Sequence, residues 1–141
     1  MIGYRSILRT AAASASLCLA VAAAAQEAAQ EAPESLKIYF ETGSAAVAAD
    51  QAATLDQAAR LFRDGNPIVM IVAGVADTVG PDEMNLALSV RRAEAVAAGL
   101  ADRGIPAARL QVLGRGNSEL EVQTGDNVAE PENRVVEITW R

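Results

Sequence analysis

The chain has 141 residues and a formal net charge of −6, with one cysteine and no histidine. Phosphate contacts need clustered Lys and Arg, so no nucleic-acid partner is expected of so acidic a chain. Without His, and with its one Cys in the leader described next, the chain lacks the usual residues for His general-base chemistry, thiol catalysis, disulfides and ordinary zinc sites.

Residues 1–25 have the pattern of a signal peptide. Arg5 and Arg9 make a basic start, Ala11 to Ala25 is uncharged, and Ala23-Ala24-Ala25 suits cleavage before Gln26. The uncharged run is short of the roughly 20 apolar residues that span a bilayer, and an uncleaved anchor is the alternative reading. The residues before Cys18, Ala15-Ser16-Leu17, lack the lipoprotein arrangement. Removal of the leader takes two arginines and no acids, leaving ten basic and eighteen acidic residues, a net of −8. Residues 26–35 form a polar linker, and 36–141 suit one domain with a single core.

Leu36 to Glu41 alternates and predicts a strand, followed by a Thr42-Gly43-Ser44 turn. Ala48, Ala52, Leu55, Ala59 and Phe62 keep a helical seam that stops at Asp64-Gly65-Asn66-Pro67. Pro67 to Gly74 is a buried strand, and Gly80-Pro81-Asp82-Glu83 starts a second helix ending near Gly104. Arg109 to Gly114 and Arg134 to Trp140 are strands, joined by a long Gly- and acid-bearing loop. The expected fold class is α+β: a two-layer β-α-β-α-β-β domain whose mixed sheet carries the helices. The first β-α-β unit brings parallel strands, and the last two strands can pair antiparallel across their loop. Strand order is not readable from the sequence.

One stretch carries candidate chemistry. Asp77 falls on the short loop between the buried strand and the second helix, where backbone N–H groups can face a ligand. At helical spacing Leu86, Val90, Ala93, Ala97 and Leu100 form the expected core seam, with Met84 and Leu88 also expected in the core. Asn85, Ser89 and Arg92 form a half-buried polar stripe beside that seam. A carboxylate and a guanidinium with neutral hydrogen-bonding groups between them suit a zwitterion, the acid on its ammonium and the guanidinium on its carboxylate. Two plainer readings stand beside this one: Asp77 and Arg92 pair with each other, or Asp77 only caps the helix. A hydrolase using Asp77 with Asp82 or Glu83 lacks a plausible base.

The ordered set of motifs resembles the OmpA-like C-terminal domain of outer-membrane proteins, Pal lipoproteins and MotB-type stators. The matching residues are Phe40-Glu41-Thr42-Gly43-Ser44-Ala45, Gly74-x-x-Asp77-x-x-Gly80 and Asn85-x-x-Leu88-Ser89-x-x-Arg92-Ala93-x-x-Val96. Further matches are Gly104-Ile105, Arg109-Leu110, Gly114-x-Gly116 and Asn133-Arg134-Val135-x-Glu137-Ile138. The resemblance implies non-covalent peptidoglycan binding in the periplasm of a Gram-negative cell, without catalysis or cofactor. It implies a site on the diaminopimelate of the stem peptide, with Asp77 on the ammonium, Arg92 on the carboxylate and Asn85 in support. Arg134 matches a second basic position, and Thr42 and Gly43 lie where the family approaches its ligand. It also implies an outer-membrane or envelope protein as a further partner. The family commonly has Gly-His-Thr-Asp where this chain has Gly74-Val75-Ala76-Asp77, often Thr at Val79, and an Arg pair at Arg134-Val135. The alternative is therefore an interaction module that kept the fold with weakened or lost peptidoglycan binding.

Overall fold

A computed structural model describes residues 34–141. The expected signal peptide and nearly all of the expected linker lie outside the described residues. Four strands and two helices follow in the order β1 (Ser35–Tyr39), α1 (Ala52–Gly65), β2 (Met70–Gly74), α2 (Asp82–Asp102), β3 (Leu110–Gly114) and β4 (Val135–Trp140). The fold is α+β, with the helices packed on a mixed four-stranded sheet.

The sheet order is β1-β4-β2-β3. β2 and β3 run parallel, while β4 runs antiparallel to both β1 and β2. The expected pairing of the last two strands is thus corrected: β4 lies between β1 and β2, away from β3. The physical reason is the pattern of β4. Val135, Val136 and Ile138 are all fully buried, which suits a central strand and not an edge. Consequently the chain from Arg115 to Arg134 crosses over the carboxyl end of β2. Two hydrogen bonds carry the strand end into this crossing, Val75 N–H to the Val135 carbonyl (2.8 Å) and Ala76 N–H to the Gly116 carbonyl (2.8 Å).

The core lies between the sheet and the helices. Leu36, Ile38 and Phe40 of the first strand region, Met70 and Val72 of β2, and Val136 and Ile138 of β4 face Leu55, Ala58 and Ala59 of α1 and Val96 and Leu100 of α2. α1 begins after a single 3-10 turn, Ala49–Gln51, so Ala48 stands outside the seam the sequence assigned to it. The helix ends on Asn66, which takes a left-handed conformation (φ 44°) and donates its N–H to the Phe62 carbonyl at 2.8 Å.

α2 buries Ala93 and Leu100 of its expected seam but is rotated from the expected orientation in its first turns. Asn85, Ser89 and Arg92 are buried, whereas Leu86 is 48 % and Met84 66 % exposed. Glycine explains this. A Cβ on Gly74 would fall well inside contact distance of the Ser89 carbonyl oxygen, and one on Gly114 would press on the Val90 side chain and backbone nitrogen and on the Ser89 hydroxyl. The strand ends therefore meet the helix backbone to backbone, and only a short polar side chain fits between. Ser89 Oγ accepts from the Gly116 N–H at 2.9 Å and donates to the Leu86 carbonyl at 2.7 Å.

Gly74→Ala forces backbone against backbone, which a side-chain rotation cannot relieve. Overpacking of this kind costs about 3 kcal/mol or more. Thermal unfolding of the variant should fall by more than about 10 °C, and an unchanged midpoint would refute the close approach.

Candidate functional site

The Thr42–Gly43 turn, the loop after β2 and the first turns of α2 converge on one pocket of about 210 Å³. Its polar and charged lining includes Thr42, Asp77, Asn85, Arg91 and Arg92, with Gly43 and Gly80 as backbone walls. Val79, Pro81, Met84 and Leu88 form an apolar wall. Five of the six residues singled out in the sequence thus share this pocket. The sixth, Arg134, lines a neighbouring cavity of about 330 Å³ with Tyr39, Glu41, Asp50 and Glu132. It touches the first site through Asp77.

Arg92 is not half-buried as expected but fully enclosed. Its Nε donates to the Ser44 carbonyl (2.8 Å), Nη2 to the Glu41 carbonyl (3.1 Å) and Nη1 to the Val75 carbonyl (3.4 Å). The guanidinium lies 5.4 Å from the Phe40 ring centroid. Burial lowers its pKa to about 10, Asp77 opposing the shift and Arg134 adding to it. The group is still cationic at neutral pH. Three of its five N–H donors are thus committed to backbone carbonyls. They shape the turn in which Ser44 N–H reaches the Glu41 carbonyl (3.1 Å) and Gly43 takes φ +67°.

Asp77 is 7 % exposed. Its Oδ2 lies 3.5 Å from Arg134 Nη1, and its Oδ1 accepts from the Val79 N–H at 3.3 Å. The ion pair that the plainer reading assigned to Arg92 is therefore made with Arg134, whose Nε also donates to the Phe40 carbonyl at 3.0 Å. Asp77 and Arg92 remain two separate charges facing one cavity. Asn85 Nδ2 makes a long contact of 3.4 Å to the Gly80 carbonyl. Ser89 does not line the pocket; its hydroxyl fastens Gly116 instead.

Two further residues, neither singled out by a motif, hold the site. Thr78 is buried, and its Oγ1 donates to the Gly125 carbonyl (2.7 Å) and accepts from the Val128 N–H (3.0 Å). Asn127 stands at φ 55°, donates its N–H to the Thr78 carbonyl (2.9 Å) and accepts the Gly80 N–H on Oδ1 (3.2 Å). The crossing segment is clamped a second time by Asn133, which exchanges two 2.8 Å bonds with the Val122 backbone. Lys37 holds Glu121 at 2.6 Å. The only sequence signal for Asn127 was its place in the turn-forming run Thr124-Gly125-Asp126-Asn127. Val75 and Ala76, the departures beside the acid, are buried and do not line the pocket.

A family model for the OmpA family matches residues 39–134, and the chain belongs to that family. Among curated proteins it is similar to the peptidoglycan-associated lipoprotein of Rhizobium meliloti (strain 1021), at 36% identity over 83 residues, 59% of this chain and 47% of that protein. It is similar also to the protein of that description from Mesorhizobium japonicum, at 33% identity over 93 residues, 66% of this chain and 55% of that protein. The chain thus spans about half the length of these relatives. Of solved structures, the peptidoglycan-associated lipoprotein from Burkholderia pseudomallei superposes with a TM-score of 0.69 at 26% identity, over 75% of this chain and 90% of that one. The C-terminal domain of Helicobacter pylori MotB shares the fold, with a TM-score of 0.65 at 20% identity over 74% of this chain and 83% of its own.

Replacing Arg92 with Met keeps bulk and removes the fork from three carbonyls. Each carbonyl left unsatisfied costs about 1–3 kcal/mol, partly offset because the cost of burying a charge disappears. A lower unfolding midpoint and faster amide exchange over residues 41–46 are expected; unchanged exchange there would show that Arg92 does not hold the turn. Thr78→Val should cost about 1–3 kcal/mol by the same reasoning, read by thermal melting, with protease sensitivity rising over residues 124–128.

Proposed function

We propose that the domain binds peptidoglycan non-covalently through the diaminopimelate of its stem peptide, and so anchors the protein or a partner to the cell wall. One observation carries this reading. Asp77 and Arg92 line the same pocket without pairing with each other, and an apolar wall runs beside them. A diamino diacid has an amino-acid head group with charges of both signs and a short aliphatic stem. Asp77 takes the ammonium, Arg92 offers its uncommitted N–H donors to the carboxylate from the floor, and Val79, Pro81, Met84 and Leu88 cover the methylenes. Asn85, Thr42 and Gly43 supply neutral contacts at the sides, while Arg134 orients Asp77. That its relatives include peptidoglycan-associated lipoproteins agrees with such a ligand. The module has no catalytic role in this reading. Its place is the periplasm of a Gram-negative cell, with an outer-membrane or envelope protein as the second partner.

The exposed apolar residues Val79 (42 %) and Met84 at the mouth favour a second reading, in which this rim contacts a protein. The two readings separate on one ligand. Wild-type protein should co-sediment with diaminopimelate-type sacculi and bind a soluble muropeptide from them in a titration. Asp77→Ala should weaken that binding about ten- to a hundredfold, the worth of one charge-assisted hydrogen bond. Thermal melting checks that the variant is folded. Equal binding by wild type and a folded Asp77→Ala variant rejects the site, and absence of wild-type binding leaves the rim reading.

A further inference from the structure

We propose that Arg91, on the rim of this pocket, is a ligand-binding residue that selects for a second carboxylate on the bound peptide. The inference rests on the functional reading above and extends it to the acid or amide state of the ligand.

The two neighbouring arginines are in opposite situations. Arg92 is fully enclosed and has three donors on backbone carbonyls. Arg91 is exposed, lines the same pocket, and makes no hydrogen bond or ion pair with any of the described residues. Glu94, three residues on along the same helix, is exposed as well and forms no ion pair with it. Its fork of donors is therefore free to meet a planar anion.

The charge balance of the lining points the same way. The charged side chains of the lining are Asp77, Arg91 and Arg92, and Arg134 pairs with Asp77 from the neighbouring cavity, so positive charge is in surplus here on a strongly acidic chain. A single zwitterionic head group would be balanced by Asp77 and Arg92 alone and would leave Arg91 without a counter-charge. A diamino diacid carries a second carboxylate, and a stem peptide carries others. One of these, lying over the rim and not in the floor, completes the match. Arg92 then serves mainly to hold the Glu41–Ser44 turn and the floor of the pocket, whereas Arg91 reads the outer end of the ligand. A carboxamide at that outer position has no charge for Arg91 to meet, so the site distinguishes free-acid from amidated stem peptides.

The test titrates the full chain with two soluble muropeptides that are identical except that one carries diaminopimelate as the free acid and the other as its monoamide. Wild type should prefer the free acid by about tenfold, the range of one charge-assisted contact at a partly exposed site. Arg91→Gln should lose that preference through weaker free-acid binding, with amide binding and the unfolding midpoint unchanged; Arg91→Lys should restore part of it. The proposal is overturned if Arg91→Gln keeps the preference, or weakens both ligands equally. Asp77→Asn provides the separation from the underlying reading. If it weakens both muropeptides while Arg91→Gln changes neither, the pocket stands and the role of Arg91 falls. If wild type binds neither muropeptide, both fall together.

Discussion

A guanidinium buried at the floor of the pocket is the constraint on which the site depends. Burying a charge is costly, and the fall in the pKa of Arg92 records that cost. Carbonyls from the β1–α1 turn and from the end of β2, the Phe40 ring and the nearby Asp77 carboxylate offset it. The side chain that satisfies these carbonyls comes from α2, so three segments far apart in the chain share one anchor. Remove the cation and the turn carrying Thr42 and Gly43 has no reason to sit where it does. Much of what a sequence motif presents as a binding arginine is, in this geometry, the frame of the pocket.

The second determinant is topological. Because β4 enters between β1 and β2, the segment before it must pass over the carboxyl end of β2. That passage brings Arg134 against Asp77 and lays residues 124–128 over Thr78. The acid is thereby held in a cleft at the end of a parallel strand pair, a position where open sheets commonly place ligands. Gly74 and Gly114 let α2 approach the same strand ends without intervening side chains. The polar stripe of the helix is buried for that reason, and the larger apolar residues beside it turn outward.

Much of this was legible in the sequence. The alternation of Leu36, Ile38 and Phe40, the β-branched run before Gly74 and the pattern of Val136, Ile138 and Trp140 identified the strands, because burial on one or both faces leaves a period in the sequence. The clustering of Asp77, Asn85 and Arg92 followed from a loop meeting the first turns of a helix. Other features left no such trace. Strand order is set by long-range pairing, and nothing local marked β4 as central beyond its two adjacent valines. The rotation of α2 leaves no local mark, because Leu86 and Val90 fit an apolar seam as well as Val96 does. What decided between the two seams was the absence of a side chain on Gly74 and Gly114, on other strands. The exchange of partners at Asp77, Arg134 in place of Arg92, likewise depended on a crossing that only the folded chain displays.

The central place of β4 has a further consequence for how such a chain comes to be folded at all. Until Val135 and the residues after it are available, β1 lacks its neighbour, since among the described residues its sole strand partner is β4. A nascent chain therefore cannot settle strand by strand as it is synthesised. The pairings that complete the sheet join segments distant along the chain, and such contacts slow folding. Any copy broken off before that point leaves β1 as an orphaned strand, open to proteases and to pairing with other chains.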